Sequence, residues 1–224
     1  MSVYFLEEEI IFPHPSLADK DGLLAVGGDL SPERLLMAYA NGIFPWFEEG
    51  SSILWWSPDP RMILLPGEFK RSKSLLQTIR RGTLEVKFDQ DFPGIITSCA
   101  VAGKRQEEGT WITEEMIPAY IKLHEMGFAH SVGTYLHGEL VGGLYGVSIG
   151  RAFFGESMFY KERDASKVAL AALVDRMLEW GFHFIDAQQR TEHLRRLGAR
   201  PVPRESFLDM LQAAVSYPTI AGKW

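Results

Sequence analysis

The 224-residue chain predicts a mixed α/β (α+β) fold in two parts. A small helix-plus-hairpin domain occupies 1–62, and a larger domain with a mixed sheet occupies 63–224. Three observations point there. The first sixty residues are rich in proline and aromatics, the middle carries three consecutive strand-like stretches, and helical patterns flank those stretches before one further strand. At 46% hydrophobic and 12% aromatic residues, the chain has ample core material, which excludes disorder as its main state.

In 1–62 the clearest element is a helix. Ser31 is placed to cap it, Pro32 to open it, and Glu33 to Ala40 to form its body, with Leu35, Leu36 and Tyr39 as an apolar stripe. Phe44, Trp46, Phe47, Trp55 and Trp56 surround it in sequence. Beyond 62, Ser72 to Arg81 reads as a short basic helix and Leu84 to Phe88 as a strand. Phe92 to Ala102 and Thr113 to Met126 read as helices, the second closed by Gly127.

Strands are expected at His130–Leu136, Glu139–Val147 and Arg151–Phe159, joined through His137-Gly138 and Ile149-Gly150. A long helix should follow, capped by Asp164 and stopped by Gly181, then a strand at His183–Gln188, a short helix and Glu205–Val215. Helix, helix, three antiparallel strands, helix, strand is similar to the order of the GNAT acyltransferases. An order of elements does not by itself fix a function.

Alternation along Arg151–Phe159 places Phe154, Glu156 and Met158 on one face and Phe153, Gly155, Ser157 and Phe159 on the other. Glu156 then lies among apolar groups, where an unpaired charge is costly. It serves either in a structural salt bridge to Lys161 or Arg163 or as a carboxylate held for a cationic ligand. The same alternation sets Asp186 and Gln188 side by side at a strand's carboxyl end, as turn caps or as a ligand-facing pair.

Other chemistries find little support. Cys99 sits in an apolar segment, the six histidines lack metal-ligand spacing, and no nucleophile elbow or phosphate loop occurs. Tyr160 to Ala165 contains no glycine where a CoA-dependent acyltransferase would carry its pyrophosphate turn. The net charge is −6, yet Lys70, Arg71, Lys73, Arg80 and Arg81 fall together, as do Arg190, Arg195, Arg196, Arg200 and Arg204. Two such groups on an acidic protein suggest phosphate contacts. A single cysteine, no secretory leader and no run of about 20 apolar residues lead us to expect a cytoplasmic protein.

Gly27–Phe47 (GGDLSPERLLMAYANGIFPWF), Ile53–Arg61 (ILWWSPDPR), Glu107–Thr113 (EEGTWIT), His130–Gly146, Phe153–Phe159 (FFGESMF) and Phe184–Gln188 (FIDAQ) together resemble the leucyl/phenylalanyl-tRNA–protein transferases. The resemblance implies a small domain before a GNAT-like one and a reaction without CoA, metal or other cofactor. It implies transfer of Leu or Phe, less readily Met, from aminoacyl-tRNA to proteins beginning with Arg or Lys, marking them for degradation by the N-end rule, by a monomer.

Carried over by motif, Trp46, Trp111, Leu144, Phe153, Gly155, Met158, Leu173 and Ile185 would bind the donor, around a polar centre of Glu156, Asp186 and Gln188. Lys70, Arg71, Lys73, Arg80 and Arg81 would meet the tRNA. Leu144 and Leu173 stand where Met and Phe can occur. Gln188 is expected to orient the acceptor amine through its carbonyl, with Asp186 fixing and polarising that amide. Glu156 would pair with the acceptor's basic end or order the amine. The competing readings are an acyl-CoA-dependent N-acetyltransferase and a non-enzymatic binder of charged tRNA ends.

Overall fold

The computed structural model describes residues 3–102 and 111–224. Two sheets organise them. The first contains β1 (Tyr4–Leu6), β2 (Leu23–Gly27), β3 (Phe44–Pro45) and β4 (Leu54–Trp56), in the spatial order β1-β2-β4-β3. The second contains β5 (Arg61–Leu64), β6 (Glu85–Phe88), β7 (Ala129–Leu136), β8 (Glu139–Ile149), β9 (Ala152–Tyr160), β10 (Phe184–Gln188) and β11 (Arg200–Val202), in the order β11-β5-β10-β9-β8-β7-β6. The expected β3–β4 hairpin is present, but β1 and β2 extend it into a sheet, and β5 carries residues 61 and 62 into the larger one.

Seven helices lie among the described residues: α1 (Pro32–Ala40), α2 (Lys73–Arg81), α3 (Phe92–Val101), α4 (Met116–Glu125), α5 (Ala165–Trp180), α6 (Glu192–Arg196) and α7 (Arg204–Val215). The large sheet is antiparallel except where β9 meets β10, and the crossover between those two strands is α5. A parallel pair needs such a crossover, so this helix is obligatory. The fold is mixed α/β, and the predicted elements occur in the predicted order, with β1, β2, β5 and β11 added to them.

A core lies on each face of the sheet. On one side Leu170, Leu173, Val174 and Met177 of α5 pack with Val132, Leu144 and Phe153. On the other, Tyr39, Phe92, Ile95, Cys99, Tyr120 and Phe207 from four helices pack with Tyr145 and Phe154. Cys99 is fully buried there.

Two helix starts differ from expectation. The Thr113 hydroxyl accepts from the Met116 N–H at 3.3 Å, so α4 begins at Met116. Pro118 then falls in the first turn, where its missing N–H costs nothing. Asp164 does precede α5, but at φ 62 its side chain makes no capping bond. It accepts instead from Thr78 and pairs with Lys167, tying α2 to α5.

Candidate active site

Two strand irregularities build the site. β8 pairs Gly146 with Gly155 but Tyr145 with Ser157, which leaves Glu156 as an extra residue on β9. This bulge reverses the alternation beyond it. Met158 joins Phe153 on the α5 side, and Phe159 joins Phe154 on the other. The strict alternation expected from sequence, with Met158 on the Glu156 face, fails because one residue was inserted. Gly146 is required opposite: a Cβ would stand 2.2 Å from the Phe154 carbonyl oxygen and 2.6 Å from the Phe153 ring.

The second bulge is Ala187, between the pairs Asp186–Ile63 and Gln188–Met62. It leaves Gln188 at φ 59, a left-handed conformation uncommon outside glycine and found preferentially at functional sites. β9 and β10 pair over Ala152–Phe154 and Phe184–Asp186, and just beyond that pairing the bulges bring Gln188 to Glu156.

Asp186 is completely buried and held in a fork. Arg61 Nε donates to Oδ1 at 2.8 Å and Nη2 to Oδ2 at 2.7 Å, while Arg61 Nη1 reaches the Gly42 carbonyl. The guanidinium is flanked by the rings of Phe44 and Phe207. Asp186 Oδ1 also accepts the Gln188 backbone N–H at 2.9 Å. The expected contact between Asp186 and the Gln188 side-chain amide is absent; Asp186 fixes the backbone turn that presents it.

The side-chain amide belongs to Glu156. Gln188 Nε2 donates to Glu156 Oε1 at 2.8 Å, and Tyr39 Oη donates to the same oxygen at 2.8 Å. Tyr120 Oη donates to Oε2 at 3.2 Å and also meets Tyr39 Oη. Glu156 is thus surrounded by neutral donors, and the alternative of a salt bridge to Lys161 or Arg163 is not realised. Burial pushes its carboxyl up to about 7, opposed by the bonds from Tyr39, Gln188 and Tyr120. Burial likewise holds both phenols well above their usual range.

The polar pair opens onto a cleft of about 400 Å³. All eight apolar or small residues expected to bind the donor line it: Trp46, Trp111, Leu144, Phe153, Gly155, Met158, Leu173 and Ile185. Glu156 and Gln188 close its polar end, with Asp186 behind them. Sequence reading missed Phe44, Leu170, Leu194 and His193 on its walls, and Tyr39, Tyr120 and Arg61 behind them. Tyr39 was legible only as part of an apolar stripe, since its hydroxyl meets Glu156 across 117 residues. Glu107 to Thr110 of the EEGTWIT motif lie outside the described residues.

Members of the first basic group border two clefts. Lys70 borders a cleft against α6 and β11, whereas Arg81 borders another beside Asp164. Lys73 and Arg80 are exposed on α2. Arg71 is partly spoken for, stacked on Phe69 and paired with Asp175.

A bulged β9 beside a parallel β10 thus sets a polar pair at the end of an apolar cleft. The profile of the leucyl/phenylalanyl-tRNA protein transferase family matches residues 63–212, and that of its N-terminal domain matches 28–59. The chain is 56% identical over 224 residues to a leucyl/phenylalanyl-tRNA–protein transferase of Desulfatibacillum aliphaticivorans, covering all of this chain and 96% of the relative. It is 54% identical to those of Thermodesulfovibrio yellowstonii and Myxococcus xanthus, covering 91% and 97% of them.

Among solved structures, an aminoglycoside acetyltransferase from a soil metagenome is similar at TM-score 0.40 and 14% identity, over 52% of this chain and 85% of that one. The chain belongs to the leucyl/phenylalanyl-tRNA protein transferase family and is an aminoacyltransferase.

Proposed function

We propose that this enzyme transfers Leu or Phe, and less readily Met, from aminoacyl-tRNA to the amino terminus of proteins beginning with Arg or Lys, marking them for degradation. The observation that carries this reading is the apolar cleft ending on the Glu156–Gln188 pair. Its walls suit an unbranched or γ-branched apolar side chain and a stacked adenine, and its end suits an amine.

The ester already stores the free energy needed, so the work is alignment and stabilisation of the tetrahedral state. The acceptor nitrogen attacks the ester carbonyl, the bond to the ribose oxygen breaks, and that oxygen takes up the amine's proton. With an α-amino pKa of about 7.7–8.0, a useful fraction of the acceptor is neutral near pH 7.

Since Gln188 Nε2 is engaged by Glu156, its Oε1 is left to receive the incoming amine. Glu156 therefore orients the amide, Asp186 and Arg61 fix the turn beneath it, and the eight cleft residues hold the donor. Lys70, Lys73, Arg80 and Arg81 contact the tRNA, with Arg71 a weaker contributor because of Asp175. We further assign two domains, with the boundary moved from the expected 62 to just before Arg61, where β5 enters the larger sheet, and a cytoplasmic, monomeric state. Among the described residues no helix is long and apolar enough to cross a membrane.

The test is direct. Given leucyl-tRNA and peptides starting with Arg, Lys or Ala, the enzyme should lengthen the first two by one residue, as read by mass spectrometry. Acylation from acetyl-CoA without transfer from charged tRNA would overturn the assignment.

A further inference from the structure

Lys70 of the first basic group meets Arg195, Arg196 and Arg200 of the second at one cleft, on the far side of α6 from the donor site. Glu68, Lys70, Arg195, Arg196, Gly198, Ala199 and Arg200 enclose about 650 Å³. Its walls are tied together: the Lys70 N–H donates to the Leu197 carbonyl at 2.8 Å. Gly198, at φ 109, lets them approach this closely, because a Cβ there would stand 2.3 Å from the Glu68 carbonyl oxygen. The cleft is therefore a fixed feature of the backbone, unlike a loose array of surface cations.

Its charge is positive. Four cations face two carboxylates: Glu68 pairs with Arg200 at 3.2 Å, and Glu192, on α6, pairs with Arg195 at 3.1 Å. Neither Lys70 nor Arg196 is in an ion pair among the described residues, and both are exposed. The surplus of two charges faces the concavity. Such a wall suits a phosphodiester, which accepts several N–H bonds and is favoured by fork-shaped guanidinium donors.

Position then narrows the ligand. Thr191, His193 and Leu194 line the donor cleft, and the next residues of the same helix, Arg195 and Arg196, line this one. α6 has five residues and is about 8 Å long. The two openings are thus a nucleotide or two apart along a strand.

We propose that this cleft binds a phosphodiester of the tRNA 3′ strand just before the esterified adenosine, with Arg196 and Lys70 as its principal donors. The proposal rests on the aminoacyl-tRNA reading of the donor cleft. It adds a phosphate site that α2 does not supply. Glu68 opposes it and sets how tightly the strand is held.

Two variants and two donors test it. Arg196→Gln with Arg200→Gln touches only exposed side chains, and Glu68→Gln removes the opposing acid. Transfer is measured with leucyl-tRNA and with leucyl-adenosine, an aminoacyl ester that carries no phosphate. For the double variant we expect kcat/KM with tRNA to fall at least about tenfold more than with leucyl-adenosine, mainly through KM. The slope of log affinity against log salt should shrink by about 0.7 for each lost phosphate contact. Glu68→Gln should tighten tRNA binding.

Equal losses with both donors, or an unchanged salt slope, would overturn the cleft while leaving the transferase reading intact. Failure of the unmodified enzyme to use either donor would overturn that reading itself.

Discussion

Asp186 and Glu156 are buried carboxylates that share a partner in Gln188, yet they are solvated in opposite ways. Asp186 meets a cation: Arg61 grips both its oxygens, and the guanidinium is itself sandwiched between rings. Among the described residues Glu156 meets neutral donors alone, two phenols and an amide. The first arrangement is an ion pair that holds a backbone turn. The second is a carboxyl whose proton can come and go near neutral pH. Placing an ion pair and a titrating carboxyl on either side of one amide orients that amide, which in the proposed mechanism leaves its oxygen to the substrate.

The ion pair offers the largest perturbation. Arg61→Met keeps an apolar chain between Phe44 and Phe207 but leaves Asp186 uncompensated, so urea denaturation should show a loss of about 3–5 kcal/mol. Adding Asp186→Leu should recover most of that stability without recovering activity. A single variant as stable as the parent would show that the pair contributes nothing to the fold.

Glu156 should act through pH. Its carboxyl is raised by burial from 4.5 to about 7, so between those values the folded state holds a proton that the unfolded state has released. Stability from this group is full below about 4.5 and is lost as pH rises to about 7, by about 3 kcal/mol at 1.4 kcal/mol per pH unit. Glu156→Gln should flatten this decline in denaturation curves taken across the interval. An identical slope in both proteins would place the titration elsewhere.

The sequence made some of this visible and hid the rest for identifiable reasons. Local signals were sufficient for α1, α5 and β7 to β10, since caps, glycine stops and apolar periodicity lie within one element. The cleft residues were found through motifs, which carried Trp46, Phe153 and Ile185 together without revealing their contacts. What stayed hidden depends on long-range pairing. β5 and β11 are too short to announce themselves, and the bulges at Glu156 and Ala187 are visible only against the partner strand. The same applies to Tyr39, Tyr120 and Arg61, which read as ordinary core or surface residues until the chain brings them to a carboxylate.

The role of Gln188 is tested most directly by Gln188→Glu, measured as the single-turnover rate of transfer from leucyl-tRNA to an Arg-initiated peptide. The substitution keeps size but replaces the N–H donor 2.8 Å from Glu156 Oε1 with a second carboxyl. Two carboxyls at that distance repel or share a proton, and either outcome moves the acceptor oxygen away from the position the amide holds. If Gln188 is an orienting amide, the rate falls at least ~10²-fold while tRNA affinity is retained, the scale of one positioned electrostatic contact. A rate equal to or above that of the parent enzyme would contradict this role and make position 188 a general base.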